Sequence, residues 1–240
     1  MRSRILAGAV HLYTAIGGLL SFFALVAISE RRFDAAFVLL CVAYIVDSTD
    51  GMLARRVGVK TVLPQIDGET LDLIIDFSTY VVLPVFLMWN ADLLPAPRGV
   101  WASVILLSGY YDFSRLHPLK AHGFYNNLPT AWNYLALYLY YLRPGRGVTA
   151  VIIAVVCALV ALPLGYICLS RMRHLAWLTR SLVTGWILIF LLVATGAVRD
   201  PGLWLKVSLV FPLYYVGASW WLYARYRRGR LPLEVAATDA

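Results

Sequence analysis

Apolar segments long enough to cross a bilayer recur along the whole chain, and they constrain its fold more than any other feature. Hydrophobic residues make up 61% of the 240 residues and charged residues 14%, whereas soluble domains carry about 25% charged residues. Because lipid offers the backbone no hydrogen bonds, only helices and closed barrels can span it. We therefore predict an all-α integral membrane protein without a separate soluble domain.

Hydropathy divides the chain into eight candidate spans, which we expect to form one transmembrane domain over residues 1–230. The spans are 9–28, 35–54, 71–90, 99–113, 129–142, 147–169, 181–198 and 203–223. The N-terminus resembles a signal peptide, but the apolar run that follows is long enough to span, so we predict a retained first helix. Residues 231–240 are predicted to form a disordered tail.

The distribution of basic residues predicts the orientation of the bundle. If both termini face the cytoplasm, the cytoplasmic segments carry fourteen of the 21 Lys and Arg residues and the opposite loops carry seven. This bias follows the positive-inside pattern and places the loop from Arg55 to Asp67 in the cytoplasm. The net charge of +8 is then explained by basic loops that lie against anionic lipid. Nucleic-acid binding is not expected, because no basic soluble domain exists to carry it.

Four aspartates interrupt the second and third apolar segments. Asp47 and Asp50 lie in the second, and Asp72 and Asp76 lie in the third. An aspartate inside a membrane helix costs about 2.5–3.5 kcal/mol on insertion scales, and such residues commonly mark functional sites. These four side chains therefore require a compensating partner.

The first pair shares one side of its helix with small residues and an arginine. At about 100° per residue, Asp50 lies about 60° from Asp47, and Gly51, Ala54 and Arg55 lie within about 80° of Asp47. The small residues would let a phosphate or a nucleotide approach the backbone. The Arg55 guanidinium is a fork suited to phosphate oxygens.

The second pair forms an acidic stripe that begins at a glycine. Gly68, Asp72 and Asp76 follow one another at steps of four residues, so each lies only about 40° around the helix from the last. Asp67 is predicted to cap the start of this helix by accepting a hydrogen bond from the Thr70 amide.

Carboxylates that converge from two helices would repel one another unless cations lay between them. Hard oxygen ligands favour Mg²⁺ or Mn²⁺, and two such ions could clamp a diphosphate. The alternative interpretation is a set of structural acids paired with Arg55 and Arg56.

The pattern Asp-x-x-Asp-Gly-x-x-Ala-Arg, followed by Gly-x-x-x-Asp-x-x-x-Asp, resembles the signature of the CDP-alcohol phosphotransferases. The eight matching positions are Asp47, Asp50, Gly51, Ala54, Arg55, Gly68, Asp72 and Asp76. Twelve residues, 56–67, separate Arg55 from Gly68, where most of this family has about eight. The longer spacer and the eight-span layout are similar to the branch that joins choline to CDP-diacylglycerol, the bacterial phosphatidylcholine synthases.

This resemblance implies a role for each matched residue. Asp47, Asp50 and Asp72 would hold two divalent ions on the CDP diphosphate, with Mn²⁺ preferred over Mg²⁺. Asp76 would lie at the same metal site and act as the general base for the alcohol. The residues that would shape and bind the CMP part of CDP-diacylglycerol are Gly51, Ala54, Arg55 and Gly68. The family also implies a homodimer.

Choline would need aromatic faces and a carboxylate, because its quaternary ammonium has no N–H to donate. Tyr110, Tyr111 and Asp112 lie near the cytoplasmic end of the fourth predicted span and are the first candidates, with Glu69 as a second source of charge. Tyr44 and Tyr80 have a similar predicted depth. Packing or an interfacial aromatic belt is the alternative role for each tyrosine.

The acidic residues are also compatible with two other functions. The same family could use serine, inositol or glycerol phosphate as the acceptor, and the spacer argues against these by resemblance. A transporter would spread its acids through the membrane depth and show matched halves. The clustering of the acids on two neighbouring helices favours the phosphotransferase.

Overall fold

The computed structural model describes residues 2–115, 123–125, 131–162, 164–168 and 175–229. The helices within these residues are α1 (Arg2–Ser29), α2 (Phe33–Val57), α3 (Val59–Val62), α4 (Gly68–Phe77), α5 (Leu83–Asn90), α6 (Arg98–Phe113), α7 (Ala131–Leu142), α8 (Arg146–Ala161), α9 (Ala176–Ala194), α10 (Pro201–Ser208) and α11 (Val210–Arg227). Strands β1 (Phe124–Tyr125) and β2 (Tyr166–Ile167) pair antiparallel. The predicted tail over residues 231–240 lies outside the described residues.

Four stretches of helix within the described residues are long and apolar enough to cross a membrane. They are Ser3–Ser29, Phe33–Val57, Gly68–Asn90 and Ala176–Ala194, and α8 is a shorter apolar helix. This agrees with the predicted all-α membrane protein. The count of eight spans and the placement of both termini in the cytoplasm stay predictions.

Two of the predicted spans differ from the helices in the structure. The helix predicted over 147–169 ends at Ala161, and the strand β2 follows it. Leu162 is extended because it precedes Pro163, and a residue before proline avoids the helical conformation. The span predicted over 203–223 is divided at Leu209, since Pro212 has no N–H to donate to the Ser208 carbonyl.

Helix α1 packs along both helices that carry the aspartates. Towards α2, the Tyr13 hydroxyl lies 2.8 Å from Thr49 Oγ1. Towards α4, a Cβ placed on Gly18 would lie 3.4 Å from Ile75, and Ser21 hydrogen-bonds Thr79 just beyond. Small residues at such an interface let helix backbones approach closely. Helix α1 therefore sets the positions of α2 and α4 relative to each other.

The connection between the two acidic helices has defined ends. Gly58, with φ of 68°, ends α2, and its N–H bonds to the carbonyls of Ala54 and Arg55, as expected for a left-handed helix cap. Asp67 begins α4 by accepting hydrogen bonds from the amides of Glu69 and Thr70. The cap predicted for Asp67 and the Thr70 amide is confirmed, at 3.2 Å.

A π-helical turn, Ser78–Val82, joins α4 to α5 directly after the acidic stripe. Such turns are rare and occur often at functional sites. Gly109 of α6 packs against this turn so closely that a Cβ there would overlap the Val81 side chain. The turn is therefore held in place by α6 from the side.

The hydrophobic core lies away from the aspartates, between α2, α5, α7 and α9. Its largest fully buried side chains include Phe37, Leu87, Met88, Trp132 and Phe190. Aromatic rings fill much of this region, and the centroids of Trp186 and Phe190 lie 4.6 Å apart. This core anchors the end of α2 that lies farthest from Asp50.

Candidate active site

Three of the four predicted aspartates converge. Carboxylate oxygens of Asp47, Asp50 and Asp72 all lie within 4.8 Å of one another. Two oxygens on opposite sides of one Mg²⁺ lie about 4 Å apart at its bond lengths of 2.0–2.1 Å. The donor set is made of hard oxygens, so these residues fit a divalent cation.

Two of these carboxylates are held by hydroxyl groups from neighbouring helices. The Tyr80 hydroxyl donates to Asp47 Oδ2 at 2.7 Å, and Thr14 Oγ1 donates to Asp50 Oδ2 at 2.8 Å. Each of these bonds engages Oδ2 of its carboxylate. Hydrogen bonds of this kind orient metal-binding groups in many proteins.

Asp76 lies at the same pocket but outside the close group of three. The pocket lies between α1, α2, α4 and the π-helical turn, and its lining includes Thr14, Asp47, Asp50, Asp72, Asp76, Thr79 and Tyr80. Asp76 is one helical turn deeper along α4 than Asp72. This position separates Asp76 from the three carboxylates that converge.

The small residues and Arg55 of the motif lie towards the loop between α2 and α4, which is predicted to face the cytoplasm. Arg55 is exposed, and its Nη1 lies 3.4 Å from the place that a Cβ on Gly51 would take. Within the described residues, neither Arg55 nor Arg56 forms an ion pair with Asp47 or Asp50. Asp47 and Asp50 are therefore held by hydroxyl groups rather than by ion pairs with these arginines.

The loop before α4 carries its own charges. Hydrogen bonds from the Thr70 hydroxyl and the Thr70 and Glu69 amides hold the pKa of Asp67 below its ordinary value. Lys60 Nζ lies 2.6 Å from Glu69 Oε1, and both side chains are exposed. An exposed pair of this kind contributes little to stability, about 0–1 kcal/mol, so Asp67 rather than this pair defines the start of α4.

The structure does not bring the predicted choline-binding residues into the aspartate pocket. Tyr110 stacks on Phe77 at 4.9 Å, and the Arg115 guanidinium lies over the Tyr111 ring. Both tyrosines are more than half exposed, whereas Asp112 is buried. Consecutive residues on a helix point in different directions, so these three do not form one compact group.

Thr14 and Tyr80 line the pocket, and His11 lies against Gly68 at the start of α4. Thr14 and His11 of α1 were not predicted as site residues, and Tyr80 was one of several tyrosines of suitable depth. Their role depends on contacts with α2 and α4, which are distant in sequence. The sequence signal for the two residues of α1 is a row of polar residues in an apolar helix, at His11, Thr14 and Ser21, which lie one and two turns apart.

Converging carboxylates, small residues and an arginine within a bundle of membrane helices define an enzyme site for a phosphate-bearing substrate. The sequence pattern of CDP-alcohol phosphatidyltransferases matches residues 6–167, so the chain belongs to that family. The resemblance predicted from the eight motif positions is thereby confirmed.

Curated relatives agree with this assignment. The chain is 32% identical to the phosphatidylcholine synthase of Pseudomonas aeruginosa over 226 residues, which cover 90% of this chain and 91% of the relative. It is 34% identical to the phosphatidylcholine synthase of Agrobacterium fabrum over 185 residues, 77% of each chain. The enzyme of the same name from Rhizobium meliloti is 30% identical over 219 residues, 90% of each.

Proposed function

We propose that this protein synthesises phosphatidylcholine by transferring the phosphatidyl group of CDP-diacylglycerol to choline, with release of CMP. The observation that carries this proposal is the convergence of Asp47, Asp50 and Asp72, with Asp76 at the same pocket. The family supports the reaction type, and the names of the relatives support choline as the acceptor.

Asp47, Asp50 and Asp72 would hold the divalent cation of this reaction, Mn²⁺ or Mg²⁺, and Asp76 would lie beside a second ion. When bound, the cation neutralises the diphosphate and stabilises charge on the departing CMP oxygen. The hydroxyls of Tyr80 and Thr14 keep two of the carboxylates oriented before the substrate arrives.

The CMP half of the substrate would lie on the cytoplasmic side of these carboxylates. Gly51, Ala54 and Gly68 would shape this part of the site, and Arg55 offers a guanidinium to a phosphate. No ion pair with Asp47 or Asp50 occupies that guanidinium within the described residues. Its charge is therefore available to the nucleotide.

Asp76 would act as the general base. It accepts the hydroxyl proton of choline while the choline oxygen attacks the phosphorus that bears diacylglycerol. A new P–O bond forms to choline, the P–O bond to the bridging oxygen breaks, and CMP leaves with that electron pair. Positioning and charge stabilisation carry most of such a transfer, and both depend on α1 holding α2 against α4.

The residues that bind choline are a separate part of this proposal. Tyr110, Tyr111, Asp112 and Glu69 remain the predicted choline-binding residues, and the structure places none of them in the lining of the aspartate pocket. Tyr80 does line it. Serine, inositol or glycerol phosphate is the alternative acceptor, and none of the relatives named above is named for these.

The rest of the proposal concerns placement in the cell. We place the protein in the bacterial inner membrane as a single catalytic domain over residues 1–230. Its pocket would open to the cytoplasm, because choline and CMP are water-soluble and must enter or leave through an aqueous compartment. A homodimer follows from the family resemblance. The transporter alternative expects acids along the membrane depth, whereas these four lie at one pocket.

The acceptor is tested with purified protein in detergent, CDP-diacylglycerol, Mn²⁺ and one alcohol at a time. We expect CMP release with choline, and none above background with serine, inositol or glycerol 3-phosphate. Asp76→Asn serves as the control, since it keeps the shape of the side chain and removes the base. Release with another alcohol and none with choline would contradict the acceptor assignment, and full activity of Asp76→Asn would contradict the role of Asp76.

A further inference from the structure

We propose that His11 of α1 binds the CMP half of the substrate, through a hydrogen bond from its imidazole to an oxygen of the nucleotide. The proposal rests on the proposed function for the identity of the nucleotide. It assigns a third helix, α1, to a nucleotide site that the motif residues place on α2 and α4 alone.

His11 is buried, with 8% of its surface exposed, and its Nε2 has no hydrogen-bond partner within the described residues. Leaving such a group unpaired costs free energy, because burial removes water from the nitrogen and no other partner replaces it. Buried polar groups are nearly always satisfied, and the exceptions commonly have a functional explanation. A ligand oxygen that pairs with Nε2 would remove this cost.

The imidazole lies against the motif glycine at the start of α4. A Cβ placed on Gly68 would lie 3.0 Å from His11 Cε1 and 3.4 Å from Nδ1. The missing side chain of Gly68 therefore leaves room for the histidine ring.

The register between α1 and α4 defines the depth of His11. Ser21 meets Thr79, Gly18 meets Ile75, and His11 meets Gly68, so both helices run in the same direction. Thr14, one turn deeper than His11, holds Asp50. His11 is thus one turn to the cytoplasmic side of the converging carboxylates, at the level of Gly68.

This depth favours the nucleotide over the acceptor as the partner of His11. Asp76 and Tyr80 lie one and two turns deeper along α4 and the π-helical turn than Asp72, so the acceptor oxygen must reach the deep side of the carboxylates. The nucleotide then extends to the other side, where His11, Gly68 and Arg55 lie.

The test compares two substitutions in the full-length protein. His11→Leu fills the same space without a donor, and His11→Gln can place an amide N–H near the position of Nε2. We expect His11→Leu to raise the KM for CDP-diacylglycerol about tenfold, the loss of about one hydrogen bond, with the KM for choline unchanged. His11→Gln should recover most of this loss.

A binding measurement keeps this test independent of the acceptor. Binding of CMP and of cytidine in the presence of Mn²⁺ is measured by calorimetry, with thermal unfolding of each variant as a check on folding. Weaker binding of CMP alone assigns the contact to the phosphate, and weaker binding of both assigns it to the nucleoside. If His11→Leu binds CMP as tightly as the unsubstituted protein, or if it loses only thermal stability, His11 is a packing residue and the proposal is overturned.

Discussion

The chemistry of single residues at this site depends on partners in other helices. Asp47 and Asp50 lie on one helix, yet the groups that orient them come from elsewhere, Tyr80 from the π-helical turn and Thr14 from α1. Each hydroxyl engages one carboxylate oxygen. The other oxygen keeps a defined direction, which a cation site requires.

Removing the Thr14 hydroxyl should weaken cation binding. We expect Thr14→Val to raise the Mn²⁺ concentration for half-maximal CMP release by about tenfold, because loss of such a supporting hydrogen bond typically costs 10–100-fold in metal affinity. The measurement is a titration of activity with Mn²⁺ at saturating CDP-diacylglycerol.

Thr14→Ser is the matched control, since it keeps a hydroxyl at the same position. Its Mn²⁺ requirement should stay close to that of the unsubstituted protein. An equal requirement in Thr14→Val and Thr14→Ser would show that the bond to Asp50 Oδ2 does not support cation binding.

At the scale of elements, close packing between helices holds the acidic stripe in place. Gly18 and Ser21 let α1 approach α4, and Gly109 lets α6 approach the π-helical turn. These contacts act on both sides of the segment that carries Asp72, Asp76 and Tyr80. Volume added at such an interface displaces the helices, because protein interiors are already close-packed.

A methyl group at Gly109 should therefore destabilise the protein. We expect Gly109→Ala to lower the free energy of unfolding by about 1–3 kcal/mol, the usual range for overpacking, and to lower the melting temperature in detergent. Alanine favours a helix by up to about 1 kcal/mol over glycine, so any net loss must come from the contact with Val81.

Gly99 in the same helix provides the control. Nothing lies within 4 Å of a Cβ placed there, so Gly99→Ala should leave the melting temperature unchanged or raise it. A loss of stability as large in Gly99→Ala as in Gly109→Ala would contradict the packing explanation.

At the scale of the whole molecule, orientation decides which substrates can reach the pocket. The basic residues predict the loop between α2 and α4 in the cytoplasm and the loop between α9 and α10 outside. Lys60 and Arg199 are exposed in these two loops. They offer positions where each side of the membrane can be probed.

Labelling from one side of the membrane tests this orientation. In a background without the three native cysteines, we expect Arg199→Cys to react with an impermeant maleimide in intact spheroplasts. Lys60→Cys should react only after lysis, because its loop faces the cytoplasm. The reverse pattern would place the aspartate pocket on the outer face.

Patterns in the sequence predicted which site residues share a face of one helix, but they could not predict the contacts between helices. They predicted the shared faces of Asp47 with Asp50 and of Asp72 with Asp76, and they predicted the Asp67 cap, since all of these depend on local helix geometry. They extended the helix over 147–169 past Ala161, where the residue before a proline leaves the helical conformation. The choline-binding role of Tyr110, Tyr111 and Asp112, which comes from their position near the end of the fourth predicted span, stays a prediction.

The sequence by itself determined the membrane setting, the helical class and the family, because apolar content, residue type and spacing along one helix are properties of the chain alone. Only the tertiary structure decided that three carboxylates converge, that Thr14 and Tyr80 orient two of them, and that His11 lies on Gly68. The contacts between helices in this set join residues 22 to 57 positions apart. Their geometry depends on how α1, α2 and α4 pack, which no local pattern specifies.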